Sequence, residues 1–259
     1  EELAAKMHKM IAIIQFKVEG QTIMTHPEYK LDHRLLLDKI DFENGTVNCY
    51  GETYPIKDVN LPTIDPKDPY RLTPEEEQVM VALEASIVNS AKLQEHINFL
   101  YSHGSLFTTC NGNLLFHGCI PFTEDGDFME VTIGGKTNHG AALMKQLDRS
   151  LREAYFNPGE GVDKADAANI MWYLWLGPDS PLFGKDKMTT FERLFIEDKA
   201  THKEHTVPYY KLINDKDICI KIIRDFDLDP TKGIILNGHV PVKIKDGESP
   251  IKGEGKLIV

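Results

Sequence analysis

Asn113-Leu-Leu-Phe-His117-Gly118 and Gly233-Ile-Ile-Leu-Asn-Gly238-His239 follow one design. Each opens with an apolar run too short for a helix and bounded by turn residues, which reads as a buried strand. Each ends in a glycine beside a histidine. Glycine lets the chain turn sharply, so the imidazole projects from the strand's end into a cleft, the kind of place where metals and phosphates bind. Either histidine alone also reads as a hydrogen-bonded structural residue. Two ligands do not make a metal site, so joint ligation needs further groups from elsewhere.

Working outward, the first strand is the return arm of a hairpin, Ser105–Cys110 and Asn113–Phe116, with Asn111-Gly112 supplying the positive φ of a tight turn. Ahead of it, Thr73-Pro74-Glu75-Glu76-Glu77 is an N-cap, a first-turn proline and acidic residues at the positive helix end. This predicts the longest helix of the chain, running to Ser102 and closed by Gly104. Leu3, Met7, Met10, Ile11, Ile14 and Val18 form a helical stripe that Gly20 is expected to end. Lys39–Tyr50 reads as a hairpin turning at Asn44-Gly45, and the proline-rich 55–72 as a connector over the surface. Downstream, Leu143, Leu147 and Leu151 mark a helix over 140–155, residues 157–163 a Pro/Gly loop, and Ala167–Trp175 a short aromatic helix. Ile218, Ile222, Ile223 and Phe226 mark a further helix before the second histidine strand.

Gly134-Gly135-Lys136-Thr137 contains the Gly-Lys-Thr of a phosphate-binding loop, but the glycine that should wrap the phosphates is Glu130, a repelling carboxylate. The alternative is an ordinary strand-to-helix turn. Asn138-His139 reads either as a ligand pair or, more simply, as a helix opening capped by asparagine. Between the two histidine strands lies the Gly-, Pro- and charge-rich loop 175–193, where Lys185, Lys187 and Arg193 could face phosphate oxygens. A solvated charged loop is the equal alternative.

The 259 residues are 41% hydrophobic and 27% charged, enough for one substantial core or a core with an accessory lobe. With 29 Lys+Arg against 40 Asp+Glu, the net charge of −11 argues against a nucleic-acid partner, and an anionic substrate must be met locally. Cys49, Cys110, Cys119 and Cys219 form no C-x-x-C pair, which fits a reducing cytoplasm. No apolar run approaches the roughly 20 residues of a bilayer span, so no membrane partner is expected. The chain begins without methionine and stops at Leu257-Ile258-Val259, which reads as a strand cut short. A piece of a longer protein is therefore expected.

The His117-Gly118 strand end, the Trp175-Leu-Gly-Pro178 loop and Gly238-His239-Val-Pro241, in that order, resemble the second half of a calcineurin-like metallophosphatase. Pro241 stands where other branches carry a second histidine, which brings the phosphoprotein-phosphatase-like branch nearest. Closer still is the resemblance to the class III fructose-1,6-bisphosphatases of Firmicutes and Bacteroidetes, which runs nearly end to end. It is carried by Lys6–Phe16, Asn113–Pro121, Ser180-Pro-Leu-Phe-Gly-Lys185, Thr190-Phe-Glu-Arg193 and Asn237–Val242.

That resemblance implies His117 and His239 as ligands of one metal in a two-metal site filled by manganese or magnesium, and a sugar bisphosphate as substrate. It implies an α/β fold: the C-terminal part of a calcineurin-like metallophosphoesterase β-sandwich flanked by helices (73–259), with an accessory helix and hairpin segment at 1–72. The family's earlier Asp-x-His, Gly-Asp-x-x-Asp and Gly-Asn-His-Asp/Glu motifs are absent before residue 117. They supply the bridging aspartate, the other ligands and the general acid, so no catalytic residue is expected in this chain and no activity from it alone. The alternatives are a non-catalytic interaction lobe, or a related phosphatase acting on a phosphoprotein or a dinucleotide polyphosphate. Homo-oligomerisation stays open.

Overall fold

The computed structural model describes residues 2–157 and 162–259. In chain order the elements are α1 (Glu2–Thr25), β1 (Ile40–Asp41), β2 (Thr46–Cys49), β3 (Glu52–Pro55), α2 (Pro74–Val88), α3 (Ala91–His103), β4 (Phe107–Cys110) and β5 (Asn113–Phe116). There follow β6 (Val131–Ile133), β7 (Lys136–Asn138), α4 (Gly140–Phe156), α5 (Val162–Leu176), α6 (Thr190–Phe195), α7 (Tyr209–Leu212), α8 (Lys216–Asp225), β8 (Ile235–Asn237), β9 (Ile251–Lys252) and β10 (Leu257–Ile258). The fold is α/β and divides into two compact units. The first runs to Asn98 and takes in Thr189–Lys203; the second comprises Phe99–Met188 and Glu204–Val259.

In the first unit α1 does not stop at Gly20. That glycine is where the helix meets Tyr70, whose ring carbon lies 2.1 Å from the place a Cβ would occupy. Close approach requires the glycine, and the helix ends before Pro27, whose ring disfavours helical backbone in the preceding residue. The expected stripe faces inward only toward its C-terminal end: Ile14 is buried beside Ile13, Phe16 and Ile23, and Val18 is half-buried, while Leu3, Met7, Met10 and Ile11 are exposed. The 40–49 hairpin forms with Ile40 opposite Val47, but its loop spans residues 42–45, and β3 adds a third antiparallel strand. The segment after it is more than a surface connector, since Ile56, Leu61, Ile64 and Tyr70 join Phe16, Val47, Phe191 and Phe195 in the core.

Thr73 starts α2 by a reciprocal cap: its hydroxyl accepts from the Glu76 amide at 3.3 Å and the Glu76 carboxylate from the Thr73 amide at 2.9 Å. The expected single helix to Ser102 is two helices, because Asn89 ends the first and the Ser90 hydroxyl accepts from the Leu93 amide to open the second. Among the described residues the longest helix is the 24-residue α1. Glu76 also receives the Lys17 ammonium at 2.7 Å, a pair almost wholly out of water, with a second Lys17 proton on the Thr63 carbonyl at 2.6 Å.

The second unit is built on a mixed five-stranded sheet in the order β4-β5-β8-β10-β9. The β4–β5 hairpin is antiparallel and turns at Asn111 (φ +52°) and Gly112 (φ +77°), as the Asn-Gly pair dictates. β5, β8 and β10 are parallel, which places Leu114, Ile235 and Leu257 in one fully buried row. The next row, Leu115, Leu236 and Ile258, lies on the opposite face and is only half-buried. Gly134 and Gly135, both left-handed, join β6 to β7 as a hairpin, so the expected strand-to-helix turn is a strand-to-strand turn. Asn138 belongs to β7 and caps nothing. The start of α4 is capped from afar, by the Asp225 carboxylate accepting from the Ala141 amide at 2.6 Å. Part of the expected 157–163 loop lies outside the described residues; α5 extends the predicted aromatic helix to Val162–Leu176. α8 forms as predicted and buries Cys219, Ile222 and Ile223.

Candidate functional site at two parallel strand ends

Parallel pairing of β5 with β8 sets Phe116 opposite Asn237, so the turns that follow leave the sheet side by side. His117 Nε2 lies 3.0 Å from His239 Nδ1, with the two rings nearly perpendicular at 83°. The turn geometry differs from the glycine reading. His239 itself takes φ +69°, a strained conformation for a residue with a Cβ, whereas Gly118 and Gly238 are not left-handed. Gly118 is required for another reason: a Cβ there would fall 2.2 Å from the Pro181 carbonyl oxygen.

That carbonyl belongs to Ser180-Pro181-Leu182-Phe183, a bracket that holds both turns. Pro181 accepts from the Cys119 amide at 2.8 Å, and Phe183 accepts from His239 Nε2 at 3.0 Å. A carbonyl only accepts, so His239 must carry its proton on Nε2 and present the bare lone pair of Nδ1 toward His117. Orientation of an imidazole by a carbonyl on its far nitrogen is the usual support of a metal-binding histidine. The bracket is itself fixed by Ser180, fully buried, whose hydroxyl donates to the Leu174 carbonyl at 2.6 Å.

The two ring nitrogens stand at hydrogen-bond distance, with His117 Nε2 donating to the bare His239 Nδ1, and an ion taking both nitrogens would displace that proton. The remaining ligands are not supplied here: among the described residues no group of three or more His, Cys, Asp or Glu side chains is placed to hold an ion. A cavity of about 480 Å³ opens beside His117, walled by Leu100, Leu106, Leu174, Trp175 and Leu182. Another of about 660 Å³ lies over the half-buried sheet row and reaches His117, Asn237 and Gly238.

The candidate cations are placed differently. Lys185 lies two residues beyond the carbonyl that holds His239 and is paired with Glu204 at 2.7 Å. Lys187 follows in the same unit. Arg193 belongs to the first unit, on α6, where its guanidinium donates to the Thr189 hydroxyl and the His202 carbonyl, both at 3.0 Å. Its neighbour Glu192, fully buried, was not singled out by sequence, yet it accepts both arms of the Arg34 fork and the Tyr50 hydroxyl. Burial pushes the Glu192 carboxyl up, but Arg34 and Tyr50 outweigh it and hold the group below the usual carboxylate range. Sequence also passed over Phe183, which acts through its backbone, and Asn237, which was quoted only as part of a strand.

The site thus defines an α/β protein that presents two converging imidazoles at the ends of parallel strands. The chain belongs to the Firmicute fructose-1,6-bisphosphatase family, whose model matches residues 1–259. The fructose-1,6-bisphosphatase class 3 of Clostridium tetani is 54% identical over 259 residues, that of Clostridium acetobutylicum 54% over 258 and that of Alkaliphilus metalliredigens 52% over 260. Each match covers 100% of this chain and 39% of the relative, so the chain spans about two fifths of the length of these proteins. No solved structure matches it.

Proposed function

We propose that this chain is the C-terminal part of a metal-dependent phosphatase that removes the 1-phosphate of fructose 1,6-bisphosphate to give fructose 6-phosphate in gluconeogenesis. The observation that carries the reading is the 3.0 Å convergence of His117 Nε2 and His239 Nδ1, with the Phe183 carbonyl fixing the second ring. His117 and His239 hold one ion of a manganese or magnesium pair that residues beyond this chain complete. When bound, the ions supply Lewis acidity toward phosphoryl oxygens. The protein's own part is to keep two imidazole nitrogens side by side, through the bracket and the parallel ladder, so that loss of the proton between them leaves both lone pairs to one ion. Lys185, Lys187 and Arg193 are the proposed substrate-side cations; in a chain of net charge −11 such groups must neutralise a bisphosphate locally. Only Arg193 offers a planar fork.

Two further features support a calcineurin-like sandwich. The parallel β5 and β8 each end in a ligand candidate, and the half-buried row Leu115, Leu236 and Ile258 is an apolar face that a second sheet would cover. Cys49, Cys110, Cys119 and Cys219 are all free, in keeping with a cytoplasmic setting. No described helix is long and apolar enough to cross a membrane.

The test is phosphate release by the full-length protein, with manganese present, from fructose 1,6-bisphosphate, fructose 6-phosphate, a phosphopeptide and a dinucleotide polyphosphate. Preference for the bisphosphate is expected, with His239→Ala losing one bound ion and nearly all turnover. Preference for the phosphopeptide or the dinucleotide would overturn the substrate, and an unaltered ion count in His239→Ala would overturn the ligand assignment.

A further inference from the structure

Asn237 closes β8 immediately before the second turn and is 7% exposed. Its Nδ2 donates to the Gly118 carbonyl at 2.6 Å and the His117 carbonyl at 3.1 Å, with the Phe116 carbonyl at 3.5 Å. Three carbonyl oxygens around one atom fix which end of the amide points there, since an amide oxygen in that place would be repelled. The other end, Oδ1, is buried with no hydrogen-bond partner among the described residues. Burying such an acceptor costs about 1–3 kcal/mol. The adjoining buried row is wholly aliphatic, Leu114, Ile235 and Leu257. An aliphatic side chain at 237 would avoid that cost. What it would not do is hold the first histidine's turn.

We infer that Asn237 is a positioning residue for the two-histidine half-site, a strap that ties the His117-Gly118 turn to β8 so that the two ring nitrogens converge. This rests on the reading of His117 and His239 as ligands of one ion. Asn237 touches neither ring nitrogen. It acts on the backbone of His117 and Gly118, from which the His117 ring is hung. A main-chain strap also crosses between the turns, the Gly238 amide donating to the His117 carbonyl at 3.0 Å. Because that bond is main-chain, it survives substitution at 237, so loss of Asn237 loosens the turn without undoing it.

The experiment is calorimetric titration of the metal-free, full-length protein with Mn²⁺, comparing the unaltered protein with Asn237→Ala, Asn237→Asp and His239→Ala, alongside the melting temperature of each apo form. Asn237→Ala is expected to keep the number of bound ions and to weaken one of them about 10- to 100-fold, the usual effect of losing a group that supports a ligand. The manganese needed for half-maximal phosphatase activity should rise in step while the plateau stays within about threefold. Asn237→Asp preserves size and shape but replaces the donor with an acceptor oxygen facing carbonyls, so it should bind no better than the alanine variant; a role in packing alone would leave it close to the unaltered protein. Unchanged affinity in Asn237→Ala, or affinity in Asn237→Asp equal to the unaltered protein, overturns the inference. Should Asn237→Ala fail to fold, Asn237→Ser, whose shorter hydroxyl reaches fewer of the carbonyls, replaces it with the same criteria. His239→Ala keeps the two questions apart: if it binds both ions, the ligand reading itself has failed, whatever position 237 does.

Discussion

Replacing Gly118 with alanine tests the bracket on which the site depends. The added Cβ would lie 2.2 Å from the Pro181 carbonyl oxygen, 3.1 Å from its carbon and 3.2 Å from Leu182 Cα. Carbon and oxygen in contact stand about 3.3 Å apart or more, so the turn and the bracket must separate by about 1 Å. All three neighbours are backbone, so no rotamer change relieves the clash. Overpacking of this kind costs about 1–3 kcal/mol. Separation also breaks the 2.8 Å bond from the Cys119 amide to Pro181, worth about 0.5–1.5 kcal/mol more. A total loss of about 2–4 kcal/mol is expected, together with weaker metal binding, because the moving bracket carries the Phe183 carbonyl away from His239. Both tryptophans, Trp172 and Trp175, lie in α5, so tryptophan fluorescence during urea unfolding of this chain reports the second unit. Gly112→Ala is the control: its φ is +77° but nothing lies within 4 Å, so it should cost only backbone strain, about 1–2 kcal/mol. A loss under about 0.5 kcal/mol for Gly118→Ala would refute the claim that the bracket presses on the turn.

Lys17→Met should destabilise the first unit by about 3–5 kcal/mol, since it strands the buried Glu76 carboxylate, and Lys17→Met with Glu76→Gln should recover part of that in a denaturation cycle. Burial pushes the Glu76 carboxyl up, yet Lys17, Thr73 and Thr63 hold it below the usual range, and Glu192 is likewise depressed. Depressed carboxyls contribute stability that is complete above the unfolded value of about 4.3 and disappears as pH falls through the lower folded values. Unfolding free energy measured from pH 6 downward should therefore drop with a steeper slope than in Glu192→Gln. Arg34→Lys, which gives up the two-pronged grip on Glu192, should cost about 1.5–3 kcal/mol by the same denaturation assay.

What sequence could reveal depended on how local each cause was. The Asn111-Gly112 turn is written in two residues, and the strand-end histidines in six or seven, so both were legible. The split at Ser90 was hidden because a run of good helix formers masks one serine that caps. The exposed Leu3, Met7 and Met10 misled because periodicity marks a face without saying what covers it. Lys17 with Glu76 and Arg34 with Glu192 are separated by 59 and 158 positions, and no window of sequence spans such pairs. Phe183 contributes a carbonyl, which every residue owns, so its side chain carries no sign of the role. Asn237 was readable only as the residue before Gly-His until the carbonyls it gathers were placed around it.

Since β5 and β8 run parallel, no tight turn can join them, and the two histidines meet only after everything between them has been made. They are 122 positions apart. At about 5–20 residues per second, synthesis leaves His117 on the order of ten seconds without its partner. Contacts of such sequence separation also come late in folding, after loop-closure entropy has been overcome. The newborn chain therefore displays at this place a single imidazole, a weak and unselective ligand, and gains its paired geometry only when β8 docks. Metal capture becomes a reporter of completed folding, and in pulse-labelled hydrogen exchange on the refolding full-length protein the β8 amides should gain protection no later than manganese is retained.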